Sequence, residues 1–216
     1  MIRKILLATI LLIIPVLALG AAEEYQEGVH FSKVDPEQPG ADGNRILVQG
    51  FFMYSCGHCN DLEPHLEEWL KTKPEDVDFV KIPAVFDRPT VILYAKAFYA
   101  LNLIDTDAEI HNKIFHAIHV ARKRLRTEKD LDAFLEANGV NMDEYREATK
   151  SFSVQTNVRQ ASVQAENYAI RGVPTLIVDG KFMVAGQKHE TMIGAMNQLI
   201  EQVRKAKASA KEQAGS

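Results

Sequence analysis

The sequence predicts an α/β fold in which helices flank a central mixed sheet, with an all-helical domain inserted into it. Two apolar runs, at residues 46–53 and 77–85, enclose a helical pattern, which is typical of a β-α-β unit with parallel strands. Residues 90–169 are almost wholly helical in pattern. Near the C-terminus, a tight turn at Asp179-Gly180 joins two short apolar strands and indicates an antiparallel hairpin.

The predicted strands begin at residues 29–33, and a turn-rich segment at 35–44 leads to the second strand. That second strand, residues 46–53, is nearly all apolar, so we expect it to be buried on both faces. A helix then runs to about Lys71, because apolar residues recur there at helical spacing. Pro64 lies inside this helix and should kink it, since proline lacks a backbone donor.

The helical pattern that follows has four breaks, where turn residues or helix caps occur: 102–107, 126–127, 138–141 and 150–153. We expect a final helix over 190–205 and a small, polar, disordered tail over 206–216. The sheet-containing domain then comprises residues 23–89 and 156–205, with the helical insertion at 90–155.

The N-terminus has the layout of a cleaved signal peptide over residues 1–22. Arg3 and Lys4 precede an apolar run that is shorter than the roughly 20 residues a membrane-spanning helix needs. Small residues follow it, with cleavage expected after Ala22. Export would place the mature chain in a compartment where disulfides persist. A net charge of −4 gives no broad attraction to nucleic acid, so we expect no such partner.

Cys56 and Cys59 are the only cysteines, and two residues separate them. As a structural disulfide they would close too short a loop to remove much chain entropy. A zinc site needs about four ligands, and the nearest candidates, His111, His116 and His119, do not complete a set. We therefore expect neither a metal nor another cofactor, and interpret the cysteines as a reactive pair.

A reactive pair needs a stabilised thiolate, because the thiolate is the nucleophile. Cys56 would lie where the buried strand meets the helix, facing unpaired backbone N–H groups and the positive end of the helix dipole. Gly57 lets the loop turn, and His58 can donate a hydrogen bond or add a positive charge. Cys59, one turn on, is placed to resolve a mixed disulfide formed at Cys56.

With these residues placed, the chain resembles DsbA-like proteins of the thioredoxin superfamily over nearly the whole mature sequence. The shared features are the C-x-x-C motif after an aromatic-rich strand, the helical insertion and Val173-Pro174 before a strand. The resemblance implies a thioredoxin-like fold, and a cis Pro174 that faces the cysteines. A cis proline exposes the preceding backbone, so Val173 could pair with an extended substrate chain.

Two departures from the family pattern concern the chemistry. Gly57 stands before His58 where DsbA-like proteins commonly have proline, and the resulting dipeptide is the one familiar from protein disulfide isomerases. Many relatives carry a buried acidic residue six residues before the first cysteine, whereas this sequence has Gly50 at that position. Lys81, on the next strand, matches a position that is often lysine in DsbA-like proteins. Proton transfer at Cys59 is then expected to use water or Lys81.

The resemblance implies a periplasmic thiol-disulfide oxidoreductase that transfers a Cys56–Cys59 disulfide to reduced or unfolded exported proteins. The segment at residues 23–30 is too short for a separate dimerisation domain, so we expect a monomer. A membrane redox partner would reoxidise the pair. Two alternatives stay open at this stage. The protein could be an isomerase or a reductase, kept reduced by such a partner, or a redox-inactive module that only holds peptides.

Overall fold

The computed structural model describes residues 24–86, 88–106 and 109–214; the predicted signal peptide lies outside them. The strands in these ranges are β1 (Ser32–Lys33), β2 (Ile46–Phe52), β3 (Val77–Pro83), β4 (Thr175–Val178) and β5 (Phe182–Ala185). The helices are α1 (Gly57–Thr72), α2 (Pro89–Leu103), α3 (Glu109–His119), α4 (Glu128–Ala137), α5 (Met142–Lys150), α6 (Phe152–Asn167) and α7 (His189–Ala214). None of these helices is long and apolar enough to cross a membrane.

The strands form one mixed sheet in the order β1-β5-β4-β2-β3. β2 and β3 are parallel and joined through α1, whereas β4 pairs antiparallel with both β2 and β5. The predicted β-α-β unit, hairpin and mixed sheet are thereby confirmed. β2 lies between β3 and β4, and all but one of its residues are buried, as expected from its apolar sequence.

The two faces of the sheet carry separate apolar cores. On one face, Ile46 and Val48 of β2 pack in a cluster with residues of α1 and α7. On the other face, Phe51 packs in a cluster with Ala161 and Tyr168, at and just beyond the C-terminal part of α6. Successive side chains of a strand point to opposite faces, so β2 anchors both layers.

The inserted helices surround a third core, which reaches the end of β2 and the start of α1. Phe52, Tyr54 and Cys59 belong to this cluster together with residues of α2, α3, α4 and α5. Side-chain caps define several helix starts: Thr127 accepts from the backbone N–H of Asp130, and Ser151 accepts from that of Val154. The helical unit is therefore packed directly against the segment that carries both cysteines.

Three boundaries differ from the sequence prediction. β1 covers only the end of residues 29–33, because Gly28 has a φ of +79° and its N–H donates to the Phe31 carbonyl in a turn. The division at 155/156 falls inside α6, a continuous helix that contacts both α2 and β3. The prediction of a disordered tail over 206–216 is wrong for residues 206–214, which are helical.

The C-terminal part of α7 is attached to the sheet domain by Lys207. Its ammonium donates to the carbonyls of Ala41 and Arg45 at 2.9 and 2.7 Å, and to Asp179 Oδ1 at 3.0 Å. The Asp179 side chain is only 2% exposed. These contacts join residues far apart in the sequence, so the composition of the segment alone cannot reveal them. They explain why the segment predicted to be a disordered tail is helical.

Replacing Lys207 with methionine should therefore destabilise the protein. We expect the free energy of unfolding to fall by about 2 kcal/mol, because a buried carboxylate loses a charged hydrogen-bond donor. Urea unfolding followed by circular dichroism measures the change. Lys211→Met, at an exposed position of the same helix, is the control and should leave the midpoint unchanged. Equal midpoints for both variants would show that Lys207 does not anchor α7.

Candidate active site

Cys56 is the N-cap of α1, at the junction between β2 and the helix. Its backbone is extended, with φ −93° and ψ 116°, and its Sγ accepts the N–H of Cys59 at 3.3 Å. The chain turns just before it, where the Cys56 N–H donates to the Met53 carbonyl at 3.0 Å. The first N–H groups of a helix have no partner within the helix, so a sulfur in this position satisfies one of them.

The surroundings of Cys56 favour its thiolate. A hydrogen bond from the Cys59 side chain lowers the pKa of Cys56 to about 6. The backbone N–H groups of Cys59 and His58 and the charge of His58 act in the same direction, against an opposing contribution from burial. His58 is exposed and Cys56 is half-buried, so the sulfur is both stabilised and accessible.

Cys59 is the third residue of α1 and is buried, with 3% exposure. Its hydrogen bond to Cys56 raises its pKa, and burial adds to the rise. Both cysteines are thiols in this structure. The two sulfurs are thus electrostatically unequal: the outer one is stabilised as an anion and the inner one as a neutral thiol.

The loop before β4 faces Cys56 from the other side. The Val173-Pro174 peptide bond is cis, as the resemblance implies, and the Cys56 thiol donates to the Val173 carbonyl at 3.3 Å. The Thr175 hydroxyl donates to the Gly172 carbonyl at 2.9 Å and closes the loop. The structure therefore brings the sequence-predicted residues of the site together across the junction of β2, α1 and β4.

A groove of about 820 Å³ opens beside this loop. His58 and the Val173-Pro174 pair line one part of it, and Met183 and Met192 line another. Its position next to the half-buried sulfur gives an extended polypeptide a place to lie alongside the cis-proline loop.

Gly50 leaves no room for a buried acid on β2. A Cβ atom added at Gly50 would lie 2.9 Å from Cζ of Phe79, closer than side-chain carbons normally approach. A carboxylate is nevertheless present, because Glu63 of α1 is buried and forms an ion pair with Lys81 of β3. Both line a small cavity together with Cys59. Burial lowers the pKa of Lys81 to about 8.

Two histidines of α3 also reach this region. His119 Nε2 lies 2.7 Å from the Tyr54 carbonyl, two residues before Cys56, and His111 Nδ1 lies 2.8 Å from the Tyr54 hydroxyl. On the sequence alone, both are considered only as zinc ligands, together with His116, so these contacts are missed; His116 is exposed. The sequence carries a signal for this arrangement: His111, Phe115 and His119 are four residues apart, a spacing that puts them on one face of a helix. In the structure Phe115 contacts both histidine rings.

The fold and the asymmetric cysteine pair beside a cis proline define a class of protein. They are the features of a thiol-disulfide oxidoreductase with a thioredoxin-like fold. Comparison with known proteins narrows the class. The family model described as the DSBA-like thioredoxin domain matches residues 91–196.

Relatives extend the match over nearly the whole chain. The thiol:disulfide interchange protein DsbA of Pseudomonas syringae is 34% identical over 195 residues, which cover 88% of this chain and 90% of that protein. The protein of the same name from Bordetella pertussis is 35% identical over 201 residues, covering 87% and 94%. The chain therefore belongs to the DsbA family.

Solved structures agree with this assignment. The crystal structure of Pseudomonas aeruginosa DsbA superposes with a TM-score of 0.79 at 29% identity, covering 87% of this chain and 97% of that chain. The structure of oxidoreductase DsbA from Xylella fastidiosa gives a TM-score of 0.76 at 25% identity, covering 83% and 98%. The predicted thioredoxin-like fold and oxidoreductase class are confirmed.

The hydrogen bond from Cys59 makes a direct prediction for Cys56. In Cys59→Ala the thiolate loses its principal donor, so the Cys56 pKa should rise from about 6 toward its ordinary value. It should not rise completely, since the backbone N–H groups remain. Cys59→Ser, which keeps an O–H donor, is the matched control and should stay closer to the wild-type pKa. Thiolate absorbance near 240 nm measures both, and equal pKa values for the two variants would refute the assignment.

Proposed function

We propose that the protein introduces disulfides into reduced proteins in the periplasm through a reversible Cys56–Cys59 disulfide. The observation that supports this best is the difference between the two cysteines: the pKa of Cys56 is lowered, and the pKa of Cys59 is raised. A thiol with a lowered pKa is a good leaving group, so a disulfide containing Cys56 gives up its bond to an attacking thiolate readily. The accessible sulfur lies beside a groove that suits an extended polypeptide.

In the first step of this mechanism, a substrate thiolate attacks Sγ of Cys56. A bond forms between the two sulfurs, the Cys56–Cys59 bond breaks, and Cys59 leaves with the electron pair and takes up a proton. A second substrate thiolate then attacks the substrate sulfur of the mixed disulfide, and Cys56 leaves as a stabilised thiolate. The substrate loses two electrons and forms its disulfide, while the enzyme becomes a reduced pair.

The neighbouring residues have distinct parts in this proposal. His58 stabilises the Cys56 thiolate through its N–H group and its charge, and Gly57, the first residue of α1, adds no side chain between them. The Val173 carbonyl, which precedes the cis Pro174 and accepts from the Cys56 thiol, would pair with the main chain of the substrate once that thiol reacts. Each of these positions adjoins the attacked sulfur, so binding and bond exchange would occur in one place.

We also propose that the chain is exported, and that a membrane redox partner restores its disulfide. The N-terminal sequence supports export, because a basic start, an apolar run and small residues fit a cleaved signal peptide. Reoxidation is required by the electron balance, since each round leaves the enzyme reduced. A monomer suffices for this cycle because all the groups named above come from one chain.

Replacing Cys56 with serine should abolish the activity. With Cys56→Ser, a reduced and unfolded multi-cysteine protein should regain its disulfides no faster than in buffer, because no mixed disulfide can form. Recovery of the substrate's own enzymatic activity provides the assay, with the oxidised wild-type protein as reference. His116→Ser, at an exposed position, should behave like the wild type. Full activity of Cys56→Ser would show that the protein acts without thiol chemistry.

A second prediction concerns how the stability of the reduced form depends on pH, which bears on the direction of electron transfer. Folding lowers the pKa of Cys56 from 9.0 to about 6, so the thiolate adds stability to the reduced form above pH 6, increasingly up to pH 9. Below pH 6 the thiol is protonated in both folded and unfolded states, and the contribution is lost. The reduced form should therefore gain stability relative to the oxidised form between pH 5 and pH 8.

Urea unfolding of the reduced and oxidised forms at pH 5 and pH 8 tests the predicted gain in stability. The reduction potential of the cysteine pair, measured against glutathione, tests the direction of electron transfer independently. An oxidase should have a potential well above the roughly −270 mV of thioredoxin. A potential as low as that, with equal stabilities of the two forms at pH 8, would instead identify a reductase.

A further inference from the structure

Behind Cys59, four polar side chains follow one another from the sheet into the inserted helices. Lys81 of β3 pairs with Glu63 Oε1 of α1, and His111 Nε2 of α3 lies 3.4 Å from the same oxygen. His111 Nδ1 lies 2.8 Å from the Tyr54 hydroxyl. The row ends at Tyr54, which precedes Cys56 by two residues in the sequence.

Three of the four groups are largely withdrawn from solvent, and the fourth, the Lys81 side chain, is 21% exposed. The side chains of Glu63 and His111 are 8% and 12% exposed, and Tyr54 is 1% exposed. His111 also lies edge-on against three aromatic rings, those of Phe52, Phe98 and Phe115. A polar side chain in such surroundings costs free energy unless its nitrogens are satisfied. Among the residues that the structure describes, none is a hydrogen-bond partner of Nε2 within ordinary geometry, and Glu63 is the group it faces.

The hydrogen positions follow from this arrangement. Burial, followed by the charge of Lys81, holds the pKa of His111 well below its usual value, so the ring is neutral and carries one hydrogen. Burial also raises the pKa of Tyr54, which keeps its proton. If the Tyr54 hydroxyl donates to Nδ1, the hydrogen of the ring is on Nε2 and points at the Glu63 carboxylate. The opposite tautomer would aim a lone pair at that carboxylate.

We propose that His111, oriented by Tyr54, is a positioning residue for proton transfer at Cys59. Its Nε2–H faces the Glu63 carboxylate, 3.4 Å away, and closes to a hydrogen bond as negative charge builds up on that group beside Lys81. When Cys59 leaves as a thiolate, Lys81 gives it a proton across the shared cavity and becomes a neutral amine. Glu63 then carries an uncompensated negative charge, which the His111 N–H stabilises. In the reverse direction neutral Lys81 takes the proton back, and the charges balance in both directions.

The charged groups that face His111 come from two elements. On α1 these are Glu63 and Glu67, and Glu67 accepts a hydrogen bond from Asn112 at the protein surface. On β3 the facing group is Lys81. Only Glu63 and Lys81 of this set also line the cavity that contains Cys59, so the effect of His111 on Cys59 should act through them.

The inference rests on the proposed function, and one assay separates the two. Glutathione is attached to Cys56 as a mixed disulfide, and its release, which requires attack by the Cys59 thiolate, is followed by stopped flow from pH 5 to pH 9. In His111→Phe, glutathione release should slow by about tenfold. Loss of the general base itself would slow it by roughly 100-fold or more. The smaller effect is expected because Lys81, which takes up the proton, is still present. The pH midpoint of release should move upward, since Glu63 without the His111 hydrogen bond holds the Lys81 proton more tightly.

Three variants serve as comparisons. His111→Gln keeps an N–H donor and should recover most of the wild-type rate, whereas Tyr54→Phe should shift the rate and midpoint in the same direction as His111→Phe. His116→Phe, on the same helix but exposed, should match the wild type. If His111→Phe does not fold, the glutamine and Tyr54 variants decide the question.

Each outcome has one meaning. If wild-type Cys56 forms no mixed disulfide with glutathione, the proposed function is wrong. If the mixed disulfide forms but the folded His111 and Tyr54 variants release glutathione at the wild-type rate and midpoint, the role of His111 is refuted. A changed Cys56 pKa in His111→Phe, measured at 240 nm, would show a general disturbance of α1 and would likewise overturn it.

Discussion

The hydrogen bond between the Cys59 N–H and the Cys56 sulfur, at the first turn of α1, is the interaction on which the site depends. It satisfies a helix donor that would otherwise lack a partner, and in doing so favours negative charge on the sulfur. Its geometry requires that β2 end and α1 begin within a few residues of each other. Buried packing on both faces of β2 fixes one side of this junction, and the third core fixes the other.

The same junction is held from two sides by segments that are far apart in the sequence. Pro174 and Val173 approach Cys56 from β4, which pairs directly with β2, so the sheet register sets their distance from the sulfur. The inserted helices cover the opposite side, where His119 bonds to the Tyr54 carbonyl. The sulfur therefore lies between two rigid supports that are far apart in sequence. A loop alone would leave its position free to vary.

Local patterns predicted much of this arrangement, and their failures have a common cause. The cysteine spacing, the Asp179-Gly180 hairpin and the helix breaks at 126–127 and 150–153 are short-range features, and the structure confirms each as local geometry. The helical tail depends on Lys207 reaching a loop about 160 residues away. The ion pair of Glu63 joins a helix to a neighbouring strand. No periodicity within one segment reveals such contacts, because they exist only once the elements pack.

The position of the buried acid shows how packing decides chemistry. Phe79 fills the space beside Gly50, so a carboxylate on β2 would clash with its ring. Glu63 instead enters the cavity from α1, and a carboxylate on that helix has α3 as its neighbour, which is how His111 comes within 3.4 Å of it. Moving the acid to α1 thus couples the inserted helices to proton transfer at Cys59, and the insertion becomes part of the chemistry as well as its cover.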